Sequence, residues 1–178
     1  MTRNTLIWQL LLAVSNIEAH FSAPKSNSLF FRRLFLKAGG VTPPKDFWIG
    51  SRLHVLRRGK LTMGRRLAIG ENSSIVNHSD IDIGDDFISA GGLVLNSGSH
   101  DPVTLEPVCD NIKIGNRVWC GQNVTILKGV EIGDDVVIGA GSLVLASVPS
   151  NSIVAGSPAR LIRPLNRPSI MQLWSWSN

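Results

Sequence analysis

From Ile114 onward every sixth residue is apolar or small: Ile114, Cys120, Ile126, Ile132, Ile138 and Val144. A Val stands four positions after each of the first four, at Val118, Val124, Val130 and Val136. Gly follows the repeated position at Ile114-Gly115, Cys120-Gly121, Ile132-Gly133 and Ile138-Gly139. A period of six fits neither an amphipathic helix nor a hairpin array. It fits short flat strands, each followed by a tight corner where Gly, Asn or Asp takes a backbone conformation other residues avoid. Three hexads make a triangular coil of about 18 residues, and coils stacked at ~4.8 Å bury one another's repeated aliphatics.

The pattern recurs upstream at Ile83-Gly84 with Ser89, Leu93 and Leu95, at Ile69-Gly70 with Ile75 and Ile81, and more faintly at Ile49-Gly50 with Val55 and Leu61. Its frame slips by two residues between Leu61 and Ile69 and between Ile81 and Ile83, so corners there must hold extra residues. The expected fold is therefore mainly β, a parallel β-helix shaped as a triangular prism. Three segments follow: an N-terminal cap over 1–47, the β-helix over 48–150 with a loop at 97–111, and a C-terminal extension over 151–178.

Helical patterning is confined to Asn4–His20 and Leu29–Ala38. In the second, Leu29, Phe30, Leu34 and Phe35 share a face beside Arg32, Arg33 and Lys37, which suits a cap over the first coil or a membrane-interface segment. The apolar run Leu6–Val14 is about half the length that crosses a bilayer, and no small-residue cleavage site follows it. Charge is divided unevenly. Residues 1–66 hold twelve Lys/Arg and two acids, and residues 67–178 hold six and eleven. A basic N-terminal third suits a membrane surface or a phosphate-bearing ligand, and no nucleic-acid motif accompanies it. With only Cys109 and Cys120 there is no disulfide framework, which points to a reducing, cytoplasmic setting, and the basic N-terminal segment suits peripheral contact at the inner membrane face.

The hexads stop between Leu95 and Ile112, and Asn96-Ser-Gly-Ser-His100-Asp101-Pro102 opens the interruption. An excursion from a regular scaffold is a natural place for function. A His at its root suits a general base, because imidazole accepts a proton near neutral pH while a hydroxyl attacks a carbonyl.

The stretch Ile114-Gly-Asn-Arg-Val-Trp-Cys-Gly-Gln-Asn-Val-Thr-Ile-Leu-Lys-Gly-Val-Glu-Ile-Gly133, continuing through Ile138-Gly-Ala-Gly-Ser142 to Val154-Ala-Gly-Ser-Pro-Ala-Arg160, resembles the hexapeptide-repeat acyltransferases, in particular the sugar, maltose and colanic acid O-acetyltransferases. The lead-in Arg32-Arg33-Leu34-Phe35-Leu36 to Gly40-Val41 resembles that of surface-polysaccharide O-acetyltransferases. The resemblance implies a left-handed β-helix, a homotrimer with sites between subunits, acetyl-CoA as co-substrate with no metal, and a saccharide hydroxyl as acceptor.

It also implies roles. Gly98-Ser99-His100 matches the family's Gly-x-His, which makes His100 the catalytic base. Asp101, Asp80 and Glu106 are candidates to orient it, and Asp101 equally suits a cap on the turn before Pro102. His78 falls where galactoside acetyltransferases carry an acceptor-contacting Asp. Trp119 is placed against the pantetheine arm, Gln122, Ala140 and Leu145 near the cofactor backbone contacts, and Arg160 and Arg163 at the CoA phosphates. Lys128 stands where relatives often have Pro. Cys120 falls at the inward phase and reads as core, and His20 and His54 read as incidental.

The same chemistry suits another small acceptor, such as serine or an antibiotic. A β-helical metal-dependent lyase needs a His pair about five residues apart and a third from a neighbour, and histidines at 20, 54, 78 and 100 do not supply it. A non-catalytic scaffold would release no thiol from acetyl-CoA.

Overall fold

The computed structural model describes residues 46–167 together with Arg33, Lys37, Val41, Thr42 and Pro44. Most of both predicted helices and the tail with Trp174 and Trp176 lie outside the described residues. At Arg33 and Lys37 the chain is helical.

The first coil holds β1 (Phe47–Ile49), β2 (His54–Arg57) and β3 (Leu61–Met63), and the second β4 (Leu67–Ile69), β5 (Ser74–Asn77) and β6 (Ile81–Ile83). The third runs through β7 (Ile88–Ser89) and β8 (Val94–Asn96), leaves the prism as β9 (Gly98–His100) and β10 (Pro107–Cys109), and returns as β11 (Ile112–Ile114). The fourth is β12 (Trp119–Cys120), β13 (Thr125–Leu127) and β14 (Glu131–Ile132). Then come β15 (Val136–Ile138), β16 (Leu143–Val144), a bridge from Val148 to Ile132, β17 (Ser152–Gly156) and β18 (Ala159–Pro164).

Three parallel sheets form the faces of the prism. Face A has the order β1-β4-β7-β12-β15-β17, face B β2-β5-β8-β13-β16, and face C β3-β6-β11-β14. This is the parallel β-helix expected. The repeated residues stack inward: Ile49, Ile69, Ser89, Cys120, Ile138 and Val154 on face A, with Phe87 and Val118 beside them. Face B stacks Val55, Ile75, Leu95, Ile126 and Val144, and face C Met63, Ile83, Ile114 and Ile132. Alternate residues point outward, as strands require.

The coil is not uniformly 18 residues long. One coil step is 20 residues from Arg65 to Asp85, 31 from Asp80 to Asn111, 18 from Asn116 to Asp134 and 16 from Asp134 to Ser150. All of that variation falls at one corner. From face A to face B the inward residues are always six apart, as in Ile69 to Ile75, and so are those from face C to face A, as in Ile83 to Ser89. From face B to face C the step is eight at Val55–Met63 and Ile75–Ile83, nineteen at Leu95–Ile114, six at Ile126–Ile132 and four at Val144–Val148. The two slips in the hexad frame both belong to this BC corner.

The two constant corners turn through positive φ at the same place in every coil. Arg52, Asn72, Gly92, Asn123 and Gly141 do so at corner AB, and Arg66, Asp86, Arg117, Asp135 and Asn151 at corner CA. Asn, Asp and Gly are the residues expected there, but Arg carries a cost of about 1–2 kcal/mol in this conformation. At corner CA the cost is offset by ion pairing down the stack. Arg66 forms a two-pronged pair with Asp86, its Nη2 at 2.6 Å from Oδ2 and its Nε on Oδ1. Arg117 does the same with Asp135 through Nε at 2.9 Å and Nη2 at 2.7 Å. Arg167 then folds back to donate to the Arg117 carbonyl at 2.8 Å.

The last coil is closed by β18, which runs antiparallel on β17. At the other end Val41 is fully buried, and Arg33 lies over the Phe47 ring at 5.4 Å.

Two outcomes follow from this packing. The Arg117 fork holds the Asp135 carboxyl below its usual 3.8. Its stabilisation is thus present above that pH and drains as pH falls through the lower folded value. Asp135→Asn should flatten the acid limb of a plot of urea midpoint against pH, and an unchanged slope would contradict the stack. Burial pushes the Cys120 thiol up to about 12, so at pH 8 a thiol reagent should label exposed Cys109 and reach Cys120 only on unfolding.

Candidate active site

The interruption after β8 is an antiparallel hairpin. His100 pairs with Pro107, Ser99 with Val108 and Gly98 with Cys109. Its tip is held by Asp101, whose Oδ1 accepts the backbone N–H groups of Val103 and Thr104 at 2.8 and 2.9 Å. Those two amides, Thr104 first, hold the Asp101 carboxyl below its usual range. Asp101 therefore plays the turn-capping role, one of the two readings open from sequence. Asp80 receives the Lys60 amide on Oδ1 at 2.8 Å. Glu106 lies on the exposed tip, with its carbonyl accepting the Asp101 amide at 2.9 Å. Among the described residues, none of the three carboxylates bonds the exposed His100 imidazole.

The root of the hairpin is pinned by Ser97, which is completely buried. Its Oγ accepts the amides of His78 and Ser79, both at 2.9 Å, and donates to the Ser79 carbonyl at 2.9 Å. One hydroxyl thus ties β9 to the preceding coil at corner BC. Ser97 carries no motif of its own. The only signal for it is a small polar residue directly after a hexad, before the Gly-x-His.

Gly98 meets a different constraint. A Cβ built on it would lie 2.4 Å from His78 Cδ2 and 2.7 Å from Cγ. The half-buried His78 ring fills the place a side chain at 98 would need. His78 thereby lies at the root of the hairpin, two residues along β9 from His100.

The remaining predicted residues lie elsewhere on the prism. Trp119 projects from face A, half exposed, in the outward column Trp48, Ala68, Ile88, Trp119, Val137 and Ile153. Gln122 and Ala140 are exposed at corner AB, successive members of one stack. Arg160 and Arg163 are exposed on β18, bonded only to carbonyls at 2.9 and 3.3 Å and to no carboxylate among the described residues. Leu145 is exposed just beyond β16 on face B, and Lys128 is half-buried at corner BC. A single chain therefore separates His100, His78 and Asp80 from Trp119, Gln122, Ala140 and the two arginines by the width of the prism.

An open groove of about 630 Å³ on face C, lined by Lys113, Glu131 and Val148 among others, contains none of the predicted residues. Among the described residues no group of three or more His, Cys, Asp or Glu could hold a metal ion, and no helix is long and apolar enough to cross a membrane.

The Gly98 contact gives a test. Gly98→Ala should lower stability by about 1–3 kcal/mol through overpacking, read as a fall in urea midpoint. Adding His78→Ala should recover most of the loss. If the double variant is no better than Gly98→Ala, the contact with His78 is not the cause.

Residues 111–146 match the model of the family described as bacterial transferase hexapeptide (six repeats). Galactoside O-acetyltransferase of Escherichia coli (strain K12) is 35% identical over 157 residues, spanning 83% of this chain and 73% of the relative. The putative lipopolysaccharide biosynthesis O-acetyl transferase WbbJ of the same strain is 31% identical over 140 residues, 71% of this chain and 70% of the relative. The structure of a galactoside acetyltransferase in complex with coenzyme A superposes with a TM-score of 0.66 at 27% identity, covering 93% of this chain and 84% of that one. Six-residue packing, an interrupted third coil and these similarities converge: the chain belongs to the hexapeptide-repeat acetyltransferases and is an acetyltransferase.

Proposed function

We propose that this enzyme transfers an acetyl group from acetyl-CoA to a hydroxyl of a saccharide during surface polysaccharide biosynthesis, with His100 as the general base. The observation that carries the reading is the position of His100. It is an exposed imidazole at the end of β9, on the one large excursion of the prism, above a root fixed by Ser97. The saccharide acceptor is inferred from the names of the two Escherichia coli relatives.

Acetyl-CoA would supply the acyl group as a thioester. The residues on the cofactor side suit such a molecule. Trp119 with Val137 and Ile153 offers an apolar wall for an extended thiol arm. Arg160 and Arg163 offer to phosphates guanidinium groups that no carboxylate engages among the described residues. Gln122 and Ala140 at corner AB and Leu145 beyond β16 on face B are exposed and are assigned to contacts along the cofactor. A backbone N–H at that corner would serve the developing oxyanion without needing a particular side chain.

His100 would take the hydroxyl proton as the oxygen attacks the acyl carbonyl. It would return that proton to the departing thiolate, so that the products are an ester and a free thiol. A saccharide hydroxyl is far too weak an acid to ionise first, so proton removal accompanies attack.

Because His100 and Trp119 sit on opposite sides of one prism, we assign the working site to the groove between neighbouring chains of a homotrimer. Support comes from the outward residues. Face A presents the apolar column containing Trp48, Ile88 and Trp119, which gains from being covered, whereas face C presents Thr62, Asp82, Lys113 and Glu131. The N-terminal segment 1–47 is assigned to capping the first coil, with peripheral contact at the cytoplasmic face of the inner membrane. The segment 151–178 is assigned to cofactor contact.

His100→Ala should reduce kcat about 10²–10⁴-fold in a thiol-release assay, with the KM for acetyl-CoA little changed. Activity retained within about tenfold would remove His100 from the base role. Co-expressing His100→Ala with Trp119→Ala should restore activity above that of either variant alone, since mixed trimers contain some intact grooves. A mixture no better than its parts would place the site within one chain.

A further inference from the structure

The hairpin root carries a second imidazole and a row of cations beneath it. Because the His78 ring takes the side-chain place of Gly98, it lies on the face of β9 to which residue 98 points. Residues two apart on a strand point the same way. The His78 imidazole and the His100 side chain therefore share one face of the hairpin, about 6.6 Å apart along the strand.

One coil below, corner BC of the first coil stacks directly on that of the second. The amides of Arg58 and Gly59 donate to the Asn77 carbonyl at 2.7 and 3.2 Å, and the Lys60 amide to Asp80 Oδ1 at 2.8 Å. Arg58 and Lys60 are exposed and form no ion pair among the described residues. The acids of the corner are differently placed. Asp80 is turned onto the Lys60 amide, Asp101 onto Val103 and Thr104, and Asp110 onto Asn111 at 2.8 Å. Glu106 stands at the hairpin tip, away from Gly98 and His78 but next to Pro107, the cross-strand partner of His100. The carboxylates nearest the root thus meet backbone N–H groups, while the side-chain charges of Arg58 and Lys60 face solvent below the two imidazoles.

We infer that corner BC selects an anionic saccharide, one bearing a carboxylate or phosphate group near the acylated hydroxyl. The inference rests on His100 marking the acceptor side of the site. His78 is the specificity-determining residue: a ring N–H donates to the anionic group while the hydroxyl is held at His100. Arg58 and Lys60 draw the rest of a charged chain along the corner. A carboxylate at position 78 would repel such a group, whereas an imidazole N–H donates to it, so the charge at this one position sets the preference.

The test uses the full chain in a thiol-release assay with acetyl-CoA and three acceptors matched except for charge: a neutral galactoside, its galacturonate counterpart and its phosphorylated counterpart. Wild type should favour at least one anionic acceptor over the neutral one by about tenfold or more in kcat/KM, and the two anionic arms identify which group is read. His78→Asp should collapse that ratio through a raised KM for the anionic acceptor. Arg58→Ser/Lys60→Ser, both on exposed side chains, should lower it partially. Equal or better use of the neutral galactoside overturns the inference while leaving acetyl transfer intact. A ratio that survives both variants overturns it too. If the double variant instead loses sedimentation with vesicles containing phosphatidylglycerol and keeps the acceptor ratio, the corner faces a membrane and the inference is wrong. Thiol release with no saccharide in the panel would overturn the proposed function itself.

Discussion

Everything in this molecule depends on backbone hydrogen bonds that hold each coil in register on the next. Because faces A, B and C are all parallel sheets with unbroken pairing, a residue that points inward in one coil points inward in the next. That constraint turns a one-dimensional repeat into stacked columns of Ile, Val, Leu and Phe whose central members are fully buried. It also tolerates single polar substitutions when they are satisfied locally. Ser73 and Ser142 at inward positions donate to the carbonyls of Gly70 and Gly139 at 2.7 and 2.6 Å, so they interrupt the column without leaving a polar group unpaired.

The fold was legible from the hexads because burial and period coincide in one number, and the register pairs confirm the residues that set the period. The position of the extra residues was only partly legible. A two-residue slip can be assigned to any nearby corner from sequence alone, and only pairing across coils places it at BC. The paired corner at CA was harder to read. Arg66 and Asp86, and Arg117 and Asp135, are 20 and 18 residues apart in the chain, and nothing local marks them as partners. The same holds for the hairpin root. Gly98 reads as part of a motif, but its contact with His78 crosses a coil boundary, and the Ser97 hydroxyl bonds groups 18, 19 and 21 residues away. Asp101 shows the opposite case. A turn cap is a local interaction, and the Asp-Pro pair announces it.

The division of residues across the prism has a physical basis as well as a functional one. A triangular coil about six residues on a side leaves no interior space beyond its own side chains, so a solenoid of this width has no cavity in which to bury a large ligand. Binding surfaces must be outward faces and corners. Two constant corners keep the phase of every strand, and the third absorbs insertion without disturbing it, as the steps of four, six, eight and nineteen residues at BC demonstrate. Chemistry that needs a protruding loop accumulates at that corner, while a long flat wall such as the Trp119 column is available only on a face where the spacing never changes.

The reversal at β18 bears on how such a rod ends. A stack of parallel coils presents, at its last rung, a row of amides and carbonyls spaced to accept another identical rung, which is the geometry of a growing filament. By laying a strand of opposite polarity on β17, the chain occupies that row on face A with its own backbone and offers beyond it the exposed side of an arginine-bearing strand. The terminus that the sequence spends on Arg160 and Arg163 therefore also acts as a stopper, giving the rod a finite length.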